Sequence, residues 1–269
     1  MIKVIFCDLD DTLLTPITKE ISNEDIEAIH RWLSQGNDFV IATARHHSFL
    51  RKTTHVMDDF DCIGWNGAEI YLKHKTVQLL PFQNEQVLEI YENMKQYKTY
   101  AKVTNIHNEY IFGSMDFYNK DIFQDEFCTI LNKDIDHYLN RNSLPIVHIN
   151  YIFPTTQLHY QFYKDYQNNK NINKQLYSCK ITSKFSFDIT VKQATKEDGI
   201  QTYLQYIDIP IHQIATIGDS LNDIGMFKLT KYSFCMSHGH EEAKKKANYV
   251  VKSVSEAIRI LERKNNYGK

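Results

Sequence analysis

Four short apolar runs in this chain stop on polar residues, and that recurring pattern restricts the fold more than any other feature. Val4-Ile5-Phe6-Cys7 precedes Asp8, and Phe39-Val40-Ile41-Ala42 precedes Thr43. Cys62-Ile63-Gly64 leads to Asn66, and Ile214-Ala215-Thr216-Ile217 leads to Gly218 and Asp219. Continuous apolar runs of this length read as strands buried on both faces, as in a parallel sheet. Helical spacing fills the gaps between them. Ser22 can cap a helix to about Gln35, with Ile26, Ile29, Trp32 and Leu33 on its apolar side and Gly36 ending it. A second helix is expected from about His47 to Met57. Strand–helix alternation of this kind predicts an α/β fold with a parallel sheet.

Between about Pro81 and Phe187 the texture changes to one rich in Tyr, Asn, Lys and His. Helices are expected near 84–96, 119–132 and 155–168, and strands near 99–103, 109–112, 146–152 and 184–190. The Asn-rich segment Gln167 to Lys174 reads as an exposed loop. This stretch predicts an α+β module inserted into the first domain. The expected division is a core of residues 1–82 and 188–269 with an insert of 83–187. After the insert the α/β rhythm resumes. A helix is expected over Lys196–Gln205, a strand over Ile214–Ile217 and a short helix to about Leu229. Strands follow near Tyr232–Met236 and Tyr249–Val251, with helices over Glu241–Lys246 and Ser255–Arg263.

The net charge of −2 gives no global field toward nucleic acid or an anionic membrane. The run Lys244-Lys245-Lys246 reads as a solvated helix face. No apolar stretch is long enough to span a bilayer, and the N-terminus lacks a signal-peptide pattern. The five cysteines are scattered without a CxxC pair, which points away from a disulfide framework or zinc knuckle. A cytoplasmic protein without an obligate protein partner is the expectation.

Chemistry concentrates where the apolar runs end. Asp8, Asp10 and Asp11 crowd one strand end, and carboxylates so close repel one another. A hard divalent cation such as Mg²⁺ would relieve that, since it prefers oxygen ligands and often also binds a substrate phosphate. In a parallel sheet the ends bearing Asp8/Asp10, Thr43, Asn66 and Asp219/Asp223 lie along one rim. Lys196, near a helix start, adds an ammonium. Carboxylates, a hydroxyl and an ammonium are the parts needed for metal-assisted phosphoryl transfer with a carboxylate nucleophile. No GxxxxGK[ST] loop or GxGxxG turn is present. Singly, Thr43 would serve as a helix cap, Lys196 as a surface lysine and Arg45 as a partner for a surface carboxylate. The pairs His46-His47 and His238/His240 read as loop or capping residues rather than metal ligands.

Taken together, these motifs resemble the haloacid dehalogenase superfamily of phosphatases, in particular the Cof-type class, subclass IIB. Asp8-Leu9-Asp10-Asp11-Thr12 is similar to the family's first motif, Thr43 to its second, and Lys196 within Lys-x-x-Gly-Ile to its third. Gly218-Asp219-Ser220-Leu221-Asn222-Asp223, followed by Met226, is similar to the fourth. Asn66-Gly67-Ala68 resembles a class-specific turn before the inserted cap. The resemblance implies a Rossmann-like core with an α+β cap that selects the substrate. It implies Mg²⁺-dependent hydrolysis of a small phosphorylated metabolite, a sugar phosphate or phosphorylated cofactor, through an aspartyl-phosphate. Asp8 would be the nucleophile, Asp10 the acid/base and Lys196 the charge-offsetting cation. Mg²⁺ would be held by Asp8, the carbonyl of Asp10 and Asp219, with Asp223 orienting the ligands directly or through water. Leu9, Thr43, Ala44, Arg45, Lys196 and Asn222 would contact phosphate or substrate. The same set admits a phosphomutase or phosphotransferase, and a non-catalytic binding or regulatory protein on the same fold is the alternative from another class. Two positions depart from the family pattern. Ala44 stands where glycine is usual, and Met236 is followed by Ser237-His238-Gly239 rather than Gly-Asn-Ala.

Overall fold

The computed structural model describes residues 1–53, 60–97, 99–105, 109–113, 128–130, 135, 139, 145–183 and 185–267. Its elements begin β1 (Val4–Cys7), α1 (Asn23–Ser34), β2 (Asp38–Ala42), α2 (His47–Thr53), β3 (Cys62–Gly64), β4 (Glu69–Leu72) and β5 (Lys75–Leu79). Next come α3 (Asn84–Met94), β6 (Tyr100–Asn105), β7 (Glu109–Gly113), β8 (Cys128–Ile130), β9 (Ile146–Ile152), α4 (Thr156–Asn168), β10 (Tyr177–Ser183) and β11 (Ser186–Val191). The chain ends with α5 (Lys196–Ile207), β12 (Ile214–Gly218), α6 (Ile224–Phe227), β13 (Ser233–Met236), α7 (Glu241–Lys244), β14 (Tyr249–Val251) and α8 (Val254–Tyr267). Two units result: Met1–Leu79 with Ala194–Lys269, and Leu80–Gln193.

The first unit is built on an eight-stranded sheet in the order β14-β13-β12-β1-β2-β3-β4-β5. All pairings from β14 through β3 are parallel. Every residue of β1 is buried, which explains its unbroken apolar run. Val4 and Phe6 pack on one face with Ile200, Tyr203 and Leu204 of α5. Ile5 and Cys7 pack on the other with Ile29 and Trp32 of α1 and Ile258 and Leu261 of α8. Side chains that alternate along a strand thus serve two separate cores. Each large side chain buried this way contributes about 1.5–3 kcal/mol relative to exposure. Ser22 caps α1 as expected, accepting from the Asp25 backbone N–H at 3.1 Å. The buried Trp32 indole donates to the Asp38 carbonyl at 2.9 Å, so its polar atom is not stranded.

β1 lies between β12 and β2, with Cys7 level with both Ile217 and Ile41. From β1 the chain passes to β2 on one side and reaches β12 only later on the other. Such a reversal opens a crevice beyond the strand ends, where α/β folds hold their ligands.

The parallel sheet expected from the sequence is extended at one edge by two strands that it did not anticipate. β3–β4 and β4–β5 are antiparallel, and β4–β5 form a hairpin. Its tip, Lys73-His74, has φ of +48° and +66°. Hairpin tips of this type are usually marked by Asn-Gly or Asp-Gly, and Lys-His carries no such signal. α2 covers the start of the expected His47–Met57 helix, and 54–59 lie outside the described residues.

The second unit carries a six-stranded sheet ordered β10-β11-β9-β6-β7-β8. Its pairings are antiparallel except β7–β8. Phe162 of α4 anchors its core, with Tyr151, Phe153 and Phe187 rings 4.7–5.4 Å away. The helix expected over 119–132 is corrected where it can be seen: Cys128–Ile130 is a strand, and the remainder lies outside the described residues. β10 was not anticipated. β11 pairs with β9 and β10, so residues 188–193 go with this unit and the chain returns to the core at Ala194, later than the sequence places it. Among the described residues no helix is long and apolar enough to cross a membrane.

Candidate active site

Asp8 follows directly on β1, and its N–H donates to the Ile217 carbonyl of β12 at 2.9 Å, continuing the parallel ladder. Its side chain is 8% exposed. Lys196, the first residue of α5, sends its wholly buried ammonium to Asp8 Oδ1 at 2.5 Å and to Asp223 Oδ1 at 2.6 Å. Thr195 caps α5 by accepting from the Asp198 N–H, which fixes the helix start and the aim of Lys196. Asp223 Oδ2 accepts the backbone N–H groups of Asp219 (2.9 Å) and Ser220 (3.0 Å). Thr12 donates its hydroxyl to Asp219 Oδ1 at 2.9 Å. Residues far apart in sequence thus form one connected network at the ends of β1 and β12.

Gly67 supports this arrangement from behind. Its φ is +108°, and a Cβ there would lie 2.1 Å from the Thr195 carbonyl. Gly67→Ala is therefore expected to push back the cap of α5 and displace Lys196. The strained backbone costs roughly 1–3 kcal/mol, before any cost of the steric overlap. Urea unfolding and turnover of the purified variant should fall together.

The remaining sequence candidates divide. Asp10 does not join the carboxylate cluster with its side chain; Arg45 clamps it with two contacts of 2.7 Å, Nε to Oδ2 and a terminal nitrogen to Oδ1. Arg45 also covers the Phe49 ring at 3.7 Å. Thr43 is fully buried at the end of β2, and its hydroxyl accepts from the Arg45 N–H at 3.1 Å. The Leu9 side chain is buried in the core, which leaves only its backbone for a ligand. Ala44, after Thr43, is half-buried. Asn222 donates to Asn66 Oδ1 at 3.1 Å and accepts from the Ser220 hydroxyl. Asn66 Nδ2 is buried without a hydrogen-bond partner, a donor held ready for a ligand.

Thr12, Ser220, Gly67 and Glu69 received no individual role from the sequence. Thr12 sits inside a motif read for its carboxylates, and its acceptor lies far along the chain. Asp11 has φ +59°, and its carboxylate pairs with Lys19. His238 Nε2 donates to the Asp11 carbonyl at 2.6 Å, so this departure from the family pattern braces the turn within the first motif. His240 caps α7 through the Glu242 N–H, as expected of it. His46 and His47 do not behave as simple loop residues; both meet Glu69. Lys244 and Lys245 pair with Glu241 and Glu242 at 2.6 Å on an exposed face.

Residues 5–258 match the haloacid dehalogenase-like hydrolase family. The chain belongs to that family. A Mycoplasma pneumoniae protein described as a candidate phosphatase is 24% identical over 91% of this chain and 90% of its own length. A haloalkanoate-superfamily phosphatase from Bacteroides thetaiotaomicron has the same fold, with a TM-score of 0.80, 20% identity and coverage of 98% and 95% of the two chains. A subclass IIB sugar phosphatase superposes with a TM-score of 0.79 at 20% identity, over 97% and 99% of the two chains. This haloacid dehalogenase-like hydrolase therefore has the fold its motifs implied: a largely parallel core with an α+β insert.

The resemblance implies Mg²⁺, and the donor set suits it. Asp8, Asp219 and Asp223 bring carboxylate oxygens within 4.8 Å of one another. Among the described residues none donates a hydrogen bond to Asp8 Oδ2 or Asp219 Oδ2, whereas both oxygens of Asp223 are occupied. Oxygen-only ligands suit a hard cation. Two carboxylates thus have an oxygen to offer, and Asp223 holds Lys196 and the Asp219 loop in place.

Electrostatics follow from this crowding. Burial pushes the Asp8 carboxyl well above its ordinary value; Lys196 pulls it back, and Asp223 and Asp219 push it further up. Asp219 is raised by burial and by Asp223, against the Thr12 hydrogen bond. Burial works to lower the Lys196 ammonium, but Asp223 and Asp8 outweigh it and hold it above its usual range. In metal-free protein, Asp8 and Asp219 thus bind protons more tightly when folded than when unfolded. Their contribution to stability should rise as pH falls from neutral through the raised values and level off near ~pH 4, the unfolded carboxylate value. Urea melts of wild type minus Asp219→Asn, with chelator present, isolate that trend. A difference that stays flat with pH would contradict it. Adding Mg²⁺ at neutral pH should raise the wild-type melting temperature more than that of the variant.

Proposed function

We propose that this hydrolase is a Mg²⁺-dependent phosphatase acting on a small phosphorylated metabolite through an aspartyl-phosphate. The observation that supports this most is Lys196, buried between Asp8 and Asp223 beside Asp219. A buried cation there aligns one carboxylate while leaving its other oxygen unengaged.

In this reading Asp8 Oδ2 attacks phosphorus, and the bond from phosphorus to the ester oxygen breaks. Asp10 gives its proton to the departing oxygen. It then takes a proton from water, whose oxygen attacks the phosphorus, and the bond to Asp8 breaks to release phosphate. Arg45 must release Asp10 for the first proton transfer, since its guanidinium engages both carboxylate oxygens. Lys196 offsets charge on the transferring group, with Thr43, Asn66 Nδ2, Asn222 and the Leu9 and Ala44 backbone as further phosphate contacts. Asp8, the Asp10 carbonyl and Asp219 would hold Mg²⁺, which when bound neutralises phosphoryl charge. The α+β unit of residues 80–193 is assigned the choice of substrate, with sugar phosphates first and phosphorylated cofactors next.

The test is release of inorganic phosphate from a generic aryl phosphate and then from a panel of phosphorylated sugars and cofactors. Hydrolysis with Mg²⁺ that stops on chelation is the expected result. No phosphate release from any substrate at saturating Mg²⁺ would overturn the proposal, and transfer to a sugar acceptor without release would redirect it to a phosphotransferase.

A further inference from the structure

His46 and His47 follow β2, and Glu69 opens β4. All three offer ligand atoms within 4.8 Å of one another. The Glu69 side chain is 1% exposed, whereas His46 and His47 are 20% and 18% exposed. His47 Nδ1 lies 2.8 Å from Glu69 Oε1, and His46 Nε2 lies 3.5 Å from Oε2. Glu69 Oε2 is buried and receives no hydrogen bond. A buried carboxylate oxygen without a partner is costly, so a cation at this point would be stabilising.

The surroundings orient each group. His46 Nδ1 is 2.8 Å from the Ser48 hydroxyl. His46 Nε2 faces Oε2 at 3.5 Å without hydrogen-bond geometry. His46 stacks on Trp65 with centroids 4.4 Å apart, and His47 stacks on Tyr71 at 3.9 Å, which fixes both ring planes. Thr76 donates to Glu69 Oε1 at 2.7 Å. Metal-binding imidazoles and carboxylates are commonly held by such outer partners. Burial works to raise the Glu69 carboxyl, but the two histidines outweigh it and bring it to about 2, so it is an anion at neutral pH.

We propose that His46, His47 and Glu69 bind a divalent transition metal of the zinc class, at a site separate from the Asp8–Asp219–Asp223 cluster. Two imidazoles and a carboxylate suit zinc and its neighbours rather than Mg²⁺. Tetrahedral zinc with bonds of about 2.0–2.1 Å separates its ligands by roughly 3.3 Å. One ligand atom from each residue lies within 4.8 Å of the other two, and His47 Nδ1 at 2.8 Å from Oε1 and His46 Nε2 at 3.5 Å from Oε2 leave only a small side-chain adjustment to reach that spacing. The partial exposure of both rings leaves a route for the ion and for a water as fourth ligand. The site adjoins Arg45, whose carbonyl accepts from the Trp65 N–H at 3.0 Å and whose guanidinium clamps Asp10. A bound ion would therefore stiffen the mount of that pair. The inference does not depend on the phosphatase reading.

Full-length protein in saturating Mg²⁺ should be titrated with Zn²⁺ by calorimetry, with Co²⁺ as the optical probe of coordination. One Zn²⁺ per chain is expected in wild type and in Asp219→Asn, and none in His47→Ala or Glu69→Gln. Thr76→Val should bind about tenfold more weakly. In wild type, Zn²⁺ should shift the imidazole NMR signals of His46 and His47, a readout that needs no variant. The proposal is overturned by absence of stoichiometric Zn²⁺, by unshifted His46 and His47 signals, by binding unchanged in both His47→Ala and Glu69→Gln, or by binding lost in Asp219→Asn.

Discussion

Asp8→Asn is expected to lower turnover by at least about 10⁴-fold while leaving the protein folded, because in the proposed mechanism it removes the nucleophile, which costs far more than losing a binding contact. The amide has nearly the same shape, so Lys196 can still donate to the side-chain oxygen as well as to Asp223. It removes a carboxylate whose ionisation burial disfavours. Melting temperature without metal should therefore hold or rise, and the gain from added Mg²⁺ should shrink. Single-turnover phosphate release and a thermal melt on one preparation test both halves. Near-normal turnover would rule out Asp8 as nucleophile, and collapse of the fold would contradict the charge argument.

The second large effect is expected at Lys196. Lys196→Met keeps the length of the side chain but leaves Asp8 and Asp223 facing each other in a buried site. Breaking a buried ion pair by removing one partner costs about 3–5 kcal/mol. In a chain of this size that corresponds to a melting temperature lower by roughly 10 °C. Turnover should fall by at least about 10³-fold, since the charge on the transferring group loses its cation. The double variant with Asp8→Asn should be more stable than Lys196→Met alone, because one of the stranded charges is gone. Asp8→Asn should raise stability more in the Lys196→Met background than in wild type; equal effects in both would show that the ammonium does not compensate Asp8.

Much of this was readable along the chain. The fully buried strand β1 announced itself as four apolar residues in a row, because a strand covered on both faces has no polar side to show. α1 was bounded by Ser22 and Gly36, whose side-chain and backbone chemistry act within one turn. The β4–β5 hairpin was missed because Lys73-His74 takes a backbone shape normally left to glycine and asparagine. β10 and β8 were missed because their patterning depends on partners that the local sequence does not name.

The site divides in the same way. Asp8, Asp10, Thr43, Lys196, Asp219 and Asp223 stand out because each occupies a strand end or helix start, positions set by local periodicity. Sequence also carried the family, since the motifs recur in order at the right spacing. Tertiary structure alone decided which oxygens are engaged. It gave Asp10 to Arg45, spent both oxygens of Asp223, left Asp8 Oδ2 and Asp219 Oδ2 without a donor among the described residues, and brought Glu69 against His46 and His47. Those outcomes depend on hydrogen bonds that span the chain and reach only about 3 Å. Local pattern sets which residues stand at the ends of strands; the register and packing of the sheet set what each of them touches.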